Sequence, residues 1–129
     1  MDAITSPPVP RNEPVRTYSP GSVEAVSLAA ALKEMAAERV ELPLTIGGAA
    51  RMARGAAFEV VAPHRHELVL GESAQATDAD VQDAIDAALA AAPSWRDLPF
   101  DERAAVFLRA ADLLSSTWRD RVNAATMLG

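Results

Sequence analysis

The sequence predicts an α/β chain: a proline-rich arm, a helix, short antiparallel strands, then three helices. Three observations predict it. Apolar residues recur at helical spacing, switch to alternation in the middle of the chain, and return to helical spacing. Prolines crowd the residues before 22. The stretch from Thr77 to Leu114 carries explicit start and stop signals for two helices.

The arm comes first. Pro7, Pro8, Pro10, Pro14 and Pro20 lie within residues 1–21. Proline fixes φ and removes an amide donor, so neither a helix nor a central strand survives that density. The arm reads either as a loose tail or as a segment laid along a larger body through Val9, Val15 and Tyr18. Ser22 then caps a helix expected over residues 22–38. Ala25, Leu28, Ala29, Leu32, Met35 and Ala36 share one of its faces. Glu24 at its start and Arg39 at its far end suit the helix dipole.

In the middle the period becomes two. Leu42, Leu44 and Ile46 alternate with Glu41, Pro43 and Thr45, which predicts a strand over 42–46, at a sheet edge because of Pro43. Gly47-Gly48 breaks it. Further strands are expected over 57–62, carrying Phe58, Val60 and Val61, and over 67–71, carrying Leu68 to Leu70. The link Ala49 to Ala57, with Arg51, Arg54 and Gly55, is long for a tight hairpin. Strands this few and short require a partner layer.

Thr77 is placed to cap the next helix, expected over 78–92, and Asp80 three residues on completes an acidic capping box. Asp78, Asp80 and Asp83 favour the positive end of the dipole. Val81, Ala84, Ile85, Ala88, Leu89 and Ala92 make one face. Pro93 is expected to stop the helix, and Trp95 falls in a short link. A helix over 100–115 follows, with Ala104, Phe107, Leu108, Ala111, Leu114 and Trp118 as its buried stripe. A last helix is expected over 117–127.

Composition narrows the function. The net charge is −6 and Lys33 is the lone lysine, which argues against a nucleic-acid surface. Cysteine is absent, so disulfides, thiolate metal sites and a thiol nucleophile are excluded. No apolar run approaches the roughly 20 residues of a membrane span. The start, Met1-Asp2-Ala3-Ile4, lacks the basic and apolar blocks of a secretory signal, so a cytoplasmic location is the expectation.

Chemical candidates are few. His64-Arg65-His66 would put two imidazoles on one face of a strand, but Arg65 repels a cation and no further ligand pair is present; a solvated turn after Pro63 is favoured. Gly47-Gly48 and Gly71 lack the spacing and following helix of a phosphate loop. Asp101-Glu102-Arg103 reads as dipole compensation with a local ion pair. Trp95 and Trp118 read as packing anchors, because no basic groove surrounds them. No catalytic, cofactor-binding or metal-ligating residue is assigned.

Several segments together resemble the opening of the aldehyde dehydrogenase superfamily. These are Ala76-Thr77-x-Ala79-Asp80-Val81, Pro99-Phe100-x-Glu102-Arg103-Ala104 and Phe107-Leu108-Arg109-Ala110-Ala111-Asp112-Leu113-Leu114, after the strands Leu44-Thr45-Ile46-Gly47-Gly48 and Val60-Val61-Ala62-Pro63. Asn12-Glu13-Pro14-Val15, Tyr18-x-Pro20-Gly21-Ser22, Pro63-His64-x-His66 and the closing Ala124-Ala125-Thr126-Met127-Leu128-Gly129 resemble the 1-pyrroline-5-carboxylate dehydrogenase branch.

The resemblance covers nearly the whole chain. It implies a Rossmann-like NAD-binding domain, a catalytic domain and an oligomerisation flap, with homo-oligomeric assembly. It further implies oxidation of L-glutamate γ-semialdehyde to L-glutamate. In that chemistry a Cys thiolate attacks the aldehyde, hydride passes to NAD, and a glutamate base activates the water that releases the thioester. None of those residues is matched here. Residues 22–129 look like the N-terminal part of the NAD-binding domain, ahead of the cofactor turn, so the expectation is a fragment of roughly the first quarter, inactive by itself. Its partners would be the remainder of the enzyme chain, with no nucleic acid and no membrane. Another aldehyde dehydrogenase, or a stand-alone helical interaction module, is the alternative. An open reading frame beyond Gly129 that encodes a Cys nucleophile and a glycine-rich turn would discriminate them.

Overall fold

The structure, a computed structural model, describes Val9 and residues 11–129. Pro7, Pro8 and Pro10 of the expected arm lie outside the described residues. Pro14 and Pro20 lie in a segment without helix or strand, as their missing donors dictate.

The first helix, α1, spans Val23–Ala37. Ser22 caps it, accepting from the Ala25 amide at 3.2 Å. Arg39 does not close its C-terminus. That residue lies beyond the helix and donates instead to Glu59 at 2.9 Å and to Glu72 at 3.4 Å, joining the chain after α1 to the sheet.

The predicted strand over 42–46 starts later than expected, at Leu44, and a separate short strand precedes it. β1 is Val40–Glu41 and β2 is Leu44–Ile46, split at Leu42-Pro43 where proline has no amide for a ladder. Gly47-Gly48 is a turn rather than a terminator. Both glycines have positive φ, 58° and 81°, which suits a two-residue hairpin. It returns the chain into β3, Ala49–Arg51, antiparallel to β2. The link expected to be long and open therefore begins as a strand.

β4, Ala57–Ala62, and β5, Arg65–Ala74, form the principal antiparallel pair, with register shifts around Val61. β5 runs well beyond the expected 67–71, because its far half alternates small and polar residues that carry no apolar signal. β1 lies parallel to β5 on its other edge, giving the order β1-β5-β4. Gly71 permits that approach: a Cβ there would sit 2.3 Å from the Val40 carbonyl oxygen.

The second helix, α2, spans Asp78–Asp97, α3 spans Phe100–Ser115, and α4 spans Arg119–Leu128. α2 contradicts the expected stop: Pro93 lies inside it. A proline removes one ladder bond without forbidding the next turn. That turn is held by Trp95, whose ring meets Phe107 of α3 edge-on, with centroids 6.4 Å apart. The link between the two helices is only Leu98-Pro99.

α1 and α4 pack along one another, with the Ser27 hydroxyl donating to Asp120 across the pair. Among the described residues the buried apolar ones are Ala62 and Ala74 in the β4–β5 pair and Ala124 and Leu128 in α4. The predicted stripes of α2 and α3 are not covered within this chain. Leu89 is 66% exposed and Phe107 68%. The accessible surface is 9830 Å², well above the about 6,600 Å² that a compact chain of this mass leaves exposed.

Candidate functional site

The densest polar constellation lies where β3 and the loop after it meet the start of α2. Thr77 and Asp80 form the predicted capping box: the Thr77 hydroxyl accepts from the Asp80 amide, while the Asp80 carboxylate accepts from the Thr77 amide at 2.9 Å. The carboxylate does far more than cap. It also accepts from the Thr77 hydroxyl at 2.8 Å, the Arg54 amide at 3.1 Å and the Arg51 guanidinium at 2.6 Å. Arg54 adds a second guanidinium contact at 3.3 Å. Asp83, one turn on, takes the other arms of Arg51 and Arg54 at 2.9 and 2.7 Å.

Asp80 is 1% exposed. Its carboxyl is held far below the usual carboxylate range, first by the Thr77 backbone amide, then by the Arg54 amide, with Arg51 and the Thr77 hydroxyl adding to them. Burial opposes this and loses. A carboxylate so saturated has little affinity for a proton and is a poor general base. Its role is structural: it ties hairpin, loop and helix into one unit.

The same arrangement bears on phosphate binding. A helix N-terminus attracts anions through its free amides and dipole. At α2 that place is taken by the chain's own Asp80, with Asp78 beside it. Gly47-Gly48 leads into a strand, not a helix. These residues therefore do not fit a dinucleotide pyrophosphate.

The other candidates are scattered. His64 and His66 are exposed at the β4–β5 turn, His66 already within β5. Among the described residues no group of three His, Asp or Glu side chains is arranged for a metal ion. Asp101 and Glu102 sit in the first turn of α3 as expected, but Arg103 forms no ion pair with either. Arg103 instead lines a groove with Trp95, Phe100, Ala104, Phe107 and Leu108. Trp118 precedes α4, with the Arg121 guanidinium 5.8 Å from its ring centre. Ser94, Ser115, Ser116 and Thr126 donate to helix carbonyls one turn back rather than to a base that could activate them.

Reading along the sequence missed the partnership of Arg51 and Arg54 with Asp80 and Asp83. A signal was present. Both pairs are spaced three apart, and both guanidiniums fall in a link otherwise made of Ala, Met and Gly.

Residues 51–127 match the family described as Aldehyde dehydrogenase family. The chain is 40% identical over 124 residues to the delta-1-pyrroline-5-carboxylate dehydrogenase of Agaricus bisporus, covering 95% of this chain and 22% of that protein. It is also 40% identical over 124 residues to the mitochondrial delta-1-pyrroline-5-carboxylate dehydrogenase of Emericella nidulans, covering 94% and 21%. The crystal structure of the delta-pyrroline-5-carboxylate dehydrogenase from Mycobacterium tuberculosis bound with NAD superposes with a TM-score of 0.94 at 53% identity, over 99% of this chain and 24% of that one. The chain thus spans about a fifth of the length of the curated relatives it matches.

Proposed function

We propose, since this chain belongs to the aldehyde dehydrogenase family, that it is the N-terminal segment of an NAD-dependent 1-pyrroline-5-carboxylate dehydrogenase. The complete enzyme oxidises L-glutamate γ-semialdehyde to L-glutamate, with NAD as hydride acceptor. The observation that carries this reading is the superposition, over almost the whole chain, on a solved enzyme of that name at 53% identity.

In this reading residues 1–21 are an arm, and residues 22–129 belong to the NAD-binding domain without contributing the cofactor turn. Their work is scaffolding. The Asp80 junction fixes α2 against the strands, and the uncovered faces of α2 and α3 receive the rest of the enzyme. The thiol nucleophile that a thiohemiacetal requires and the residues that hold nicotinamide against the reacting carbon come from the remainder of the enzyme chain. Assembly of the complete enzyme is homo-oligomeric, with no nucleic-acid or membrane partner. No helix among the described residues is long and apolar enough to cross a membrane. A cytoplasmic location belongs to this reading; the mitochondrial relative from Emericella nidulans makes organelle fractionation its test.

The test of function pairs the 129-residue chain with the same residues joined to a family-type continuation. NAD binding is followed by calorimetric titration, and turnover by NADH absorbance with glutamate semialdehyde. The short chain is expected to do neither and the extended chain both. Turnover by the short chain contradicts the scaffold role. Failure of a well-folded extended chain on this substrate contradicts the assigned reaction.

A further inference from the structure

We propose that residues 13–18 are a strap clasped onto α4 by Arg119, and that this polar clasp, rather than apolar packing, fixes how the chain leads into α1. The proposal does not depend on the enzymatic reading.

The apolar residues of the arm do not anchor it: Val9 is 82% exposed and Val15 96%. The hold centres on Arg119. Arg119 Nε donates to the Tyr18 hydroxyl oxygen at 3.0 Å, and its Nη1 donates to the Glu13 carboxylate. Asn123, one turn along α4, also donates to the Tyr18 hydroxyl oxygen, at 3.4 Å. The Arg119 side chain is 15% exposed and that of Glu13 42%, so the arginine end of the pair is largely dry while its carboxylate end stays open to water and to screening by salt.

Tyr18 has a φ of +50°, a conformation non-glycine residues seldom adopt and one that persists when surrounding contacts over-determine it. Directly after it, the Ser22 amide donates to the Ser19 carbonyl and the Ser22 side chain caps α1. α1 then packs on α4, closing through Ser27 and Asp120. Arg119 therefore holds the chain before the turn and at the turn, on the helix that α1 must find.

Trypsin reads this directly in the full 129-residue chain, because Arg11 and Arg16 lie in the arm and strap while Arg51 and Arg54 are locked in the Asp80 cluster. Proteolysis of a native chain follows the population of the locally opened form. R119Q is expected to speed cleavage after Arg16 by at least about fivefold, with cleavage after Arg51 and Arg54 unchanged. Y18F, which keeps the ring and loses the hydroxyl, should give a smaller acceleration at the same bond. Added salt should speed Arg16 cleavage in the natural chain and not in R119Q. Equal Arg16 cleavage in all three chains overturns the clasp. So does a parallel rise at Arg51 and Arg54, which would mean general unfolding.

Discussion

The two ends of α2 obey opposite rules. At its start, a buried carboxylate is surrounded by donors from three segments, and no buried side-chain polar atom among the described residues lacks a partner. At its end and along α3, apolar side chains stand in solvent: Leu89, Trp95, Phe100, Phe107 and Leu114 are all substantially exposed. The first region is complete within this chain. The second has the pattern of a core face without the layer that would make it one. The lesson is that capping and charge pairing close locally, whereas apolar faces depend on segments far away in sequence.

The largest effect is expected at the complete end. Asp80→Ala removes the buried carboxylate and leaves Arg51 and Arg54 with only the half-exposed Asp83 between them, and should cost more stability in this chain than any other single change considered. Thermal melting followed by circular dichroism checks it; a melting point within a degree of the natural chain would break the comparison. Acid offers a gentler version. Because the folded Asp80 pKa is depressed, its stabilisation is fully present above the ordinary carboxylate value of roughly 4. It is lost as pH falls from there through the depressed folded value. The signal of α2 should hold from neutral pH down to about 5 and weaken below about 4. Asp80→Asn should lower its stability at neutral pH and flatten that acid profile.

The uncovered end responds differently. Phe107→Ala should cost the 129-residue chain only about 1 kcal/mol, the worth of its edge-on contact with Trp95, read as fraying of the last turn of α2. In the chain extended by a family-type continuation it should cost about 3 kcal/mol, as in a core. Equal costs in both chains would mean that the face is already covered here. Smaller than that core cost in the extended chain is Gly71→Ala, whose Cβ would collide with the Val40 carbonyl oxygen. A loss of about 1–2 kcal/mol, with β1 released from β5 in amide exchange, is expected. Thr77→Ala should cost about 1 kcal/mol, the usual worth of a helix cap, read as fraying of the first turn of α2.

The two ends were also unequally legible in the sequence. Thr77 and Ser22 mark helix starts within a residue, because a cap is a contact between near neighbours. The Arg51–Asp80 cluster was not legible, since its members come from segments that only the fold brings together. Pro93 misled for a related reason: its local cost is real, but a contact with Phe107 decides whether the helix continues. β3 was hidden by Ala49 and Ala50, which carry no strand signal, and the parallel pairing of β1 by its length of two residues. The stripes of α2 and α3 are periodic faces as read, but the α3 stripe expected to be buried is exposed in this chain, and Trp118, counted in it, lies beyond α3 at the start of α4.

Segment-resolved amide hydrogen exchange on the 129-residue chain, run beside binding of a dye specific for exposed apolar surface, tests the contrast most directly. The account predicts protection concentrated in β4, β5 and the first turns of α2, rapid exchange through α3, and strong dye binding. Uniform protection through α3, in a monomer that melts sharply at high temperature and binds no dye, would contradict it.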